Sequence, residues 1–215
     1  MGEIIKLSWV SPEVTYLSAK DKRLKKVIEM VGTIEYVPHS NGYQFIVHEI
    51  IEQMLSIKAG AKIYSRLEEL CCNDISPNTI NNLSDEKLKS IGTSSNKVKY
   101  IRCFTDSVLA KSLDLDGLEP LSDEEVMDVL TNIKGIGTWT AKMYLIFVLN
   151  RPDVLPYEDV AFLQTYKWMY KTDDTSPSSV QKKCKKWKPY SSIAARFLYR
   201  ALDLGYTKEE FHLRK

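Results

Sequence analysis

A helix that opens at Ser122 cannot run far. Ser122-Asp123-Glu124-Glu125 is a capping box, in which the serine hydroxyl and the Glu125 carboxylate satisfy orphan amides at a helix start. Gly135-Ile136-Gly137 then interrupts the pattern, and helical spacing resumes at about Thr138. Two helices joined by so short a turn must lie against one another. Glycine lets such a turn reach positive φ and approach another molecule closely. The amides after the turn belong to a helix N-terminus, which binds anions through free N–H groups and the helix dipole. Lys134 and Lys142 add charge nearby. Ile136, apolar between the glycines, suits a plug for the hairpin's own core, and the small pair Thr140-Ala141 permits close helix packing.

Helical signals dominate elsewhere. Gln44–Leu70 has apolar residues at helical spacing and a change of direction near Ser56. Further helices are predicted over Lys20–Val31, Lys97–Ala110, Thr138–Leu149, Val160–Tyr170, Ser179–Trp187 and Ser192–Leu204, with a short one from Ser84 to Gly92. Thr207-Lys208-Glu209-Glu210 repeats the capping-box pattern. About nine or ten helices are expected and no convincing sheet, although residues 32–37 could be extended. The expected fold class is therefore all-α. The loop Arg151–Glu158 carries Pro152 and Pro156 and separates two helical blocks.

Composition excludes several classes. Of 215 residues, 44% are apolar and 27% charged, which is globular and not disordered. No apolar run is long enough to span a membrane, and the start MGEIIKLSWV lacks a secretory pattern. Cys71, Cys72, Cys103 and Cys184 read as reduced thiols in a cytosolic protein. Charge is unevenly placed. Residues 1–159 hold 18 basic and 23 acidic side chains, whereas residues 160–215 hold 12 and 5, which suggests an anionic partner for one end.

Asp159 lies 24 residues after Gly135, at the start of the Val160–Tyr170 helix. It fits an N-cap. A carboxylate there could also stabilise a developing cation or orient a water. Glu158 is the rival acid.

Hairpin, second helix, Pro-containing loop and Asp, in this order and spacing, resemble the helix-hairpin-helix DNA glycosylase superfamily, named for its Gly/Pro-rich loop and Asp. Gly135-Ile136-Gly137-Thr138-Trp139-Thr140-Ala141 and Arg151-Pro152-Asp153-Val154-Leu155-Pro156 look most like its DNA-3-methyladenine glycosylase II branch. Gln53-Met54-Leu55-Ser56, Gly92-Thr93-Ser94 with Lys97 and Tyr100-Ile101-Arg102, and Trp187-Lys188-Pro189-Tyr190-Ser191-Ser192 resemble further family segments. The resemblance covers roughly residues 15–205.

The resemblance implies a two-lobed helical fold with a cleft between lobes. One lobe is expected over 43–154, ending in the hairpin, and the other over 1–42 plus 155–215. It implies a monomer that flips alkylated purines of the 3-methyladenine type out of double-stranded DNA and hydrolyses the N-glycosidic bond. Glycosylases for hypoxanthine, uracil or an oxidised purine, a non-catalytic helix-hairpin-helix DNA-binding module, and a bifunctional glycosylase/lyase are the alternatives.

Residue by residue, Asp159 matches the catalytic carboxylate. Trp139 stands where bifunctional relatives carry a nucleophilic Lys, so base removal without strand cleavage is expected. Trp139, Met143 and Tyr190 are the candidate base pocket, whose aromatic walls suit a cationic purine. Met54 matches the residue wedged into the gap left by the flipped base. Candidate phosphate contacts are Lys134, Gly135, Gly137, Thr138, Thr140 and Lys142, with Lys186 and Lys188 from a lysine-rich run. No cofactor is required by this chemistry. A monovalent cation, K or Na, could sit on the hairpin carbonyls, no other metal is certain, and the cysteines do not form the motif of iron–sulfur relatives. A cytoplasmic or nuclear location would follow.

Overall fold

The computed structural model describes residues 3–213, and within them not the side chain of Ile57. These residues hold twelve α-helices, three short 3-10 turns and one two-stranded ribbon, divided into two compact units. The division falls at 38/39 and 149/150, against 42/43 and 154/155 read from the sequence.

The first unit, Met1–Pro38 with Asn150–Lys215, is built from both ends of the chain. Strand β1 (Ile5–Leu7) pairs antiparallel with β2 (Ile34–Tyr36), Ile5 opposite Tyr36. Between them lie α1 (Pro12–Lys20) and α2 (Lys22–Val31). The helix expected over Lys20–Val31 is α2, starting two residues later, and α1 before it is a helix the sequence pattern did not show. Asp21 leaves helical geometry and accepts from the amides of Arg23 and Leu24, which caps α2. The later elements are α10 (Val160–Tyr170), α11 (Pro177–Cys184), a 3-10 turn at Lys185–Trp187 and α12 (Ser191–Asp203). Leu17, Leu24, Ile28, Phe162, Tyr166, Trp187, Phe197 and Leu198 form the centre of this unit's core. The pattern at Thr207–Glu210 starts no α-helix. Tyr206–Lys208 is a single 3-10 turn.

The second unit, His39–Leu149, is a helical bundle. It contains α3 (Gly42–Glu52), α4 (Ile57–Leu70), α5 (Pro77–Asn82), α6 (Asp85–Ser90), α7 (Ser95–Leu109), α8 (Asp123–Thr131) and α9 (Thr138–Phe147). Serine caps open α4, α5, α6 and α7, and the Ser122–Glu125 capping box opens α8 in full. Helix α3 is central and packs on α4, α7 and α9. Phe45, Ile46, Val47, Ile50 and Ile51 are all buried on it. Tyr43 stacks on Phe104 at 5.1 Å, and its hydroxyl lies 2.7 Å from that of Thr105.

Candidate functional site

The hairpin of α8 and α9 turns at Gly135, whose φ is +98°. A Cβ there would lie 2.3 Å from both Cβ and Cγ of Tyr100 on α7, so no side chain fits. Ile136 is buried and plugs the turn from inside. Gly137 differs from expectation. Its φ of −98° suits any residue, and a Cβ would meet open space. It is the N-cap of α9 and supplies no side-chain cap to the first-turn amides. Lys134 and Thr138 are exposed beside the turn.

Two other phosphate candidates on α9 are turned inward. Thr140 is buried, and its hydroxyl accepts from Gln53 Nε2 at 3.3 Å. Lys142 is buried as well, because α9 is covered on every face from Thr140 to Ile146. Neither side chain is presented to a phosphate. Trp139 is half-buried on the first turn, and Met143, one turn on, is buried.

In the other unit, Asp159 is the N-cap of α10. Its Oδ1 accepts from the Phe162 amide at 2.7 Å, and its own amide donates to the Pro156 carbonyl at 3.0 Å. The side chain is 8% exposed. The loop before it is stapled to the start of α12. Asp153 Oδ1 accepts from the Ser191 amide and hydroxyl at 3.1 and 2.5 Å, Ser192 Oγ accepts from the Val154 amide at 2.9 Å, and the Ser192 amide donates to the Pro152 carbonyl at 3.0 Å. Tyr190, just before α12, meets Tyr16 edge to face at 5.4 Å, and the Tyr16 hydroxyl donates to the Lys188 carbonyl.

The lysine run divides in the same way as the hairpin residues. Lys188 is exposed and 3.8 Å from Asp153. Lys186 has another partner: its ammonium is 3.0 Å from the buried Asp21 carboxylate and sits over the Tyr170 ring. Asp21 Oδ2 also accepts from the Tyr170 hydroxyl and from Trp187 Nε1. Burial opposes ionisation of Asp21. Hydrogen bonds from Tyr170, Trp187 and Lys186, and the Lys186 charge, outweigh it and hold the carboxyl below the usual range. Lys186 is thus the counter-ion of the buried Asp21, at a position where a phosphate contact was expected.

Met54 lies in the two-helix corner between α3 and α4. It is fully exposed, and its φ is +58°. Among the described residues, no group of three or more His, Cys, Asp or Glu side chains could hold a metal, and no helix is long and apolar enough to cross a membrane.

Residues 47–189, which include the hairpin and Asp159, match the HhH-GPD superfamily of base excision DNA repair proteins. The chain belongs to that superfamily. Among HhH-GPD relatives, a DNA-3-methyladenine glycosylase of Schizosaccharomyces pombe is 29% identical over 90% of this chain and 88% of its own length. The crystal structure of a DNA-3-methyladenine glycosidase from Bacillus halodurans is 36% identical, with a TM-score of 0.83 over 97% of each chain. A 3-methyladenine DNA glycosylase of S. pombe, solved in complex with abasic DNA, superposes with a TM-score of 0.80 at 26% identity, over 90% of this chain and 97% of the other.

Three side chains on this HhH-GPD scaffold had no role in the sequence reading. Gln53 and Lys97 lie in segments that resemble the family, yet their partners are backbone carbonyls remote in sequence. Tyr16 lies in a helix that the sequence pattern did not reveal, and only folding brings it to Tyr190.

Proposed function

We propose that this protein is a monofunctional DNA glycosylase of the DNA-3-methyladenine glycosylase II type. It removes alkylated purines from double-stranded DNA and leaves the abasic strand intact. One observation carries the chemistry: Asp159 is fixed as the cap of α10, at the end of a loop stapled to α12. A carboxylate so held needs little reorganisation to stabilise the charge that builds on the deoxyribose as the glycosidic bond breaks. It can also orient the water that attacks C1′. An alkylated purine already carries positive charge and leaves readily, so no strong general acid is required. The nucleotide must leave the stack first, because the bond is inaccessible within a duplex.

In this scheme the uncapped start of α9, with Lys134 and Thr138, seats a phosphate. Trp139 and Met143 on α9 and, in its own unit, Tyr190 are the proposed base contacts, and Met54 fills the gap in the duplex. A monovalent cation on the hairpin fits the donors there. The carbonyls of Ile133 and Gly135 each accept one hydrogen bond and have a second lone pair. Trp139 in place of a nucleophilic Lys supports base release without strand cleavage.

The test is base release from dimethyl-sulfate-treated DNA by the purified protein, read by chromatography. Free 3-methyladenine with unbroken strands is expected, and Asp159→Asn should lower the rate about a hundredfold or more. Full activity of that variant would sink the role of Asp159. A DNA adduct trapped by borohydride would sink the monofunctional assignment. DNA binding without release of any lesion base would sink the enzyme assignment altogether.

A further inference from the structure

The corner that carries Met54 is held more firmly than an exposed loop requires. A methionine at positive φ is strained, and such strain persists only where the surroundings impose it. Here the source is visible. Lys97 Nζ on α7 donates to the carbonyls of Ile51 and Gln53, at 2.7 and 2.6 Å, on the chain that leads into Met54. Both acceptors belong to the end of α3, where orphan carbonyls and the helix dipole favour a cation. The Gln53 side chain then reaches the hairpin, with Nε2 donating to the Gly135 carbonyl at 3.0 Å and to Thr140 Oγ1 at 3.3 Å. One turn beyond Lys97, Tyr100 lies directly against Gly135. The three links close a triangle: α7 to the Met54 corner, the corner to the hairpin, and the hairpin back to α7.

Resting on the wedge role of Met54 proposed above, we infer that Lys97 and Gln53 are positioning residues that lock the wedge and the phosphate-seating hairpin into one rigid bracket. The duplex backbone then cannot dock on the hairpin without Met54 arriving at a fixed offset from it. Met54 has no packing of its own to direct it. Its aim comes entirely from the backbone beneath it, and Lys97 sets that backbone. The ammonium of Lys97 acts through Met54 and does not touch the DNA.

A double-mutant cycle tests this with the full-length protein. The probe is a duplex that carries a tetrahydrofuran abasic analogue beside 2-aminopurine, whose emission reports insertion into the gap. Single-turnover release of 3-methyladenine from methylated DNA is followed in parallel, and anisotropy gives total affinity for undamaged duplex. Lys97→Met should reduce the insertion signal and lower the release rate about tenfold, the scale of one lost charge-assisted hydrogen bond, and Met54→Ala should reduce both at least as far, because Lys97 acts through it. Affinity for undamaged duplex should change less than twofold. In the Met54→Ala background, Lys97→Met should have little further effect, because residues that act through one another are not additive. Gln53→Met supplies the same cycle through the hairpin arm and serves if Lys97→Met fails to fold.

If Met54→Ala leaves insertion and release unchanged, the wedge role fails and the bracket with it. If Met54→Ala reduces both but Lys97→Met and Gln53→Met do not, the bracket alone is overturned. Fully additive effects would also overturn it, since a merely structural role lowers activity regardless of residue 54.

Discussion

Gly135 and Gly137 stand two residues apart in the same turn, and the structure assigns them different tasks. Gly135→Ala should be severe. At φ +98° an L-residue loses about 1–2 kcal/mol. Its methyl group would also sit 2.3 Å from Tyr100 Cβ and Cγ. The Tyr100 Cβ is fixed by its backbone, so no rotamer change moves it aside, and overpacking of this kind costs about 1–3 kcal/mol. Together the two effects predict a loss of about 3 kcal/mol, or roughly 6–12 °C in Tm for a chain of this size. Gly137→Ala should leave stability within about 0.5 kcal/mol, since φ is −98° and the space is open. Gly137 is the residue that opens α9. A methyl group there should weaken affinity for duplex DNA, if a phosphate seats on the uncapped amides of that helix. Urea denaturation and fluorescence anisotropy on both variants give the answer. Equal stability of the two would refute the Tyr100 argument. Unaltered DNA affinity of Gly137→Ala would refute the seat.

Three other consequences can be measured. Asp21 has a depressed folded-state pKa, so its contribution is complete above the unfolded value near 4 and is lost as pH falls through the folded value. Asp21→Asn should cost about 3 kcal/mol at pH 7, and the gap from the parent protein should shrink toward pH 3; a constant gap would contradict the ion pair. Lys134→Ala and Lys188→Ala should each reduce the salt slope of DNA binding by about one unit, whereas Lys186→Ala should lower stability and leave the slope unchanged. Among the thiols, burial pushes Cys71 up to about 11 and Cys184 higher still. Iodoacetamide at pH 8 should therefore modify exposed Cys72 well before either of them, as peptide mass mapping would show.

What was legible in the sequence was local. The capping box, the glycine turn and the helix at Val160–Tyr170 each announce themselves within a few residues, and the structure holds all three. Asp159 could be found because an N-cap and a fixed spacing coincide there. What depended on distant partners was hidden. Strand β1 is three residues long and exists only because β2 pairs with it. Helix α1 was hidden because only Val14 and Leu17 of its residues are buried, whereas the apolar stripe of α2 stands out from its charged face. Lys186 belongs to a lysine run that resembles a solvated face, and its partner Asp21 lies near the opposite end of the chain. Lys142 looked exposed because lysines usually are, yet α9 is enclosed on every side from Thr140 to Ile146, and this lysine with it.

The first unit's assembly from both ends of the chain has a consequence for synthesis. Residues 39–149 are contiguous and can close their core as soon as they are made. Helices α1 and α2 cannot, because α12, against which both pack, is translated last. At about 5–20 residues per second, Leu17, Leu24, Val27 and Ile28 wait roughly 10–30 s with their apolar faces uncovered. The sequence protects that interval. Lys22, Arg23, Lys25 and Lys26 flank the apolar stripe of α2, and four like charges in five positions repel neighbouring nascent chains. The basic face of this helix thus serves before folding, when its apolar face has nothing to pack against, and Arg23 serves again afterwards by donating to the Met169 carbonyl.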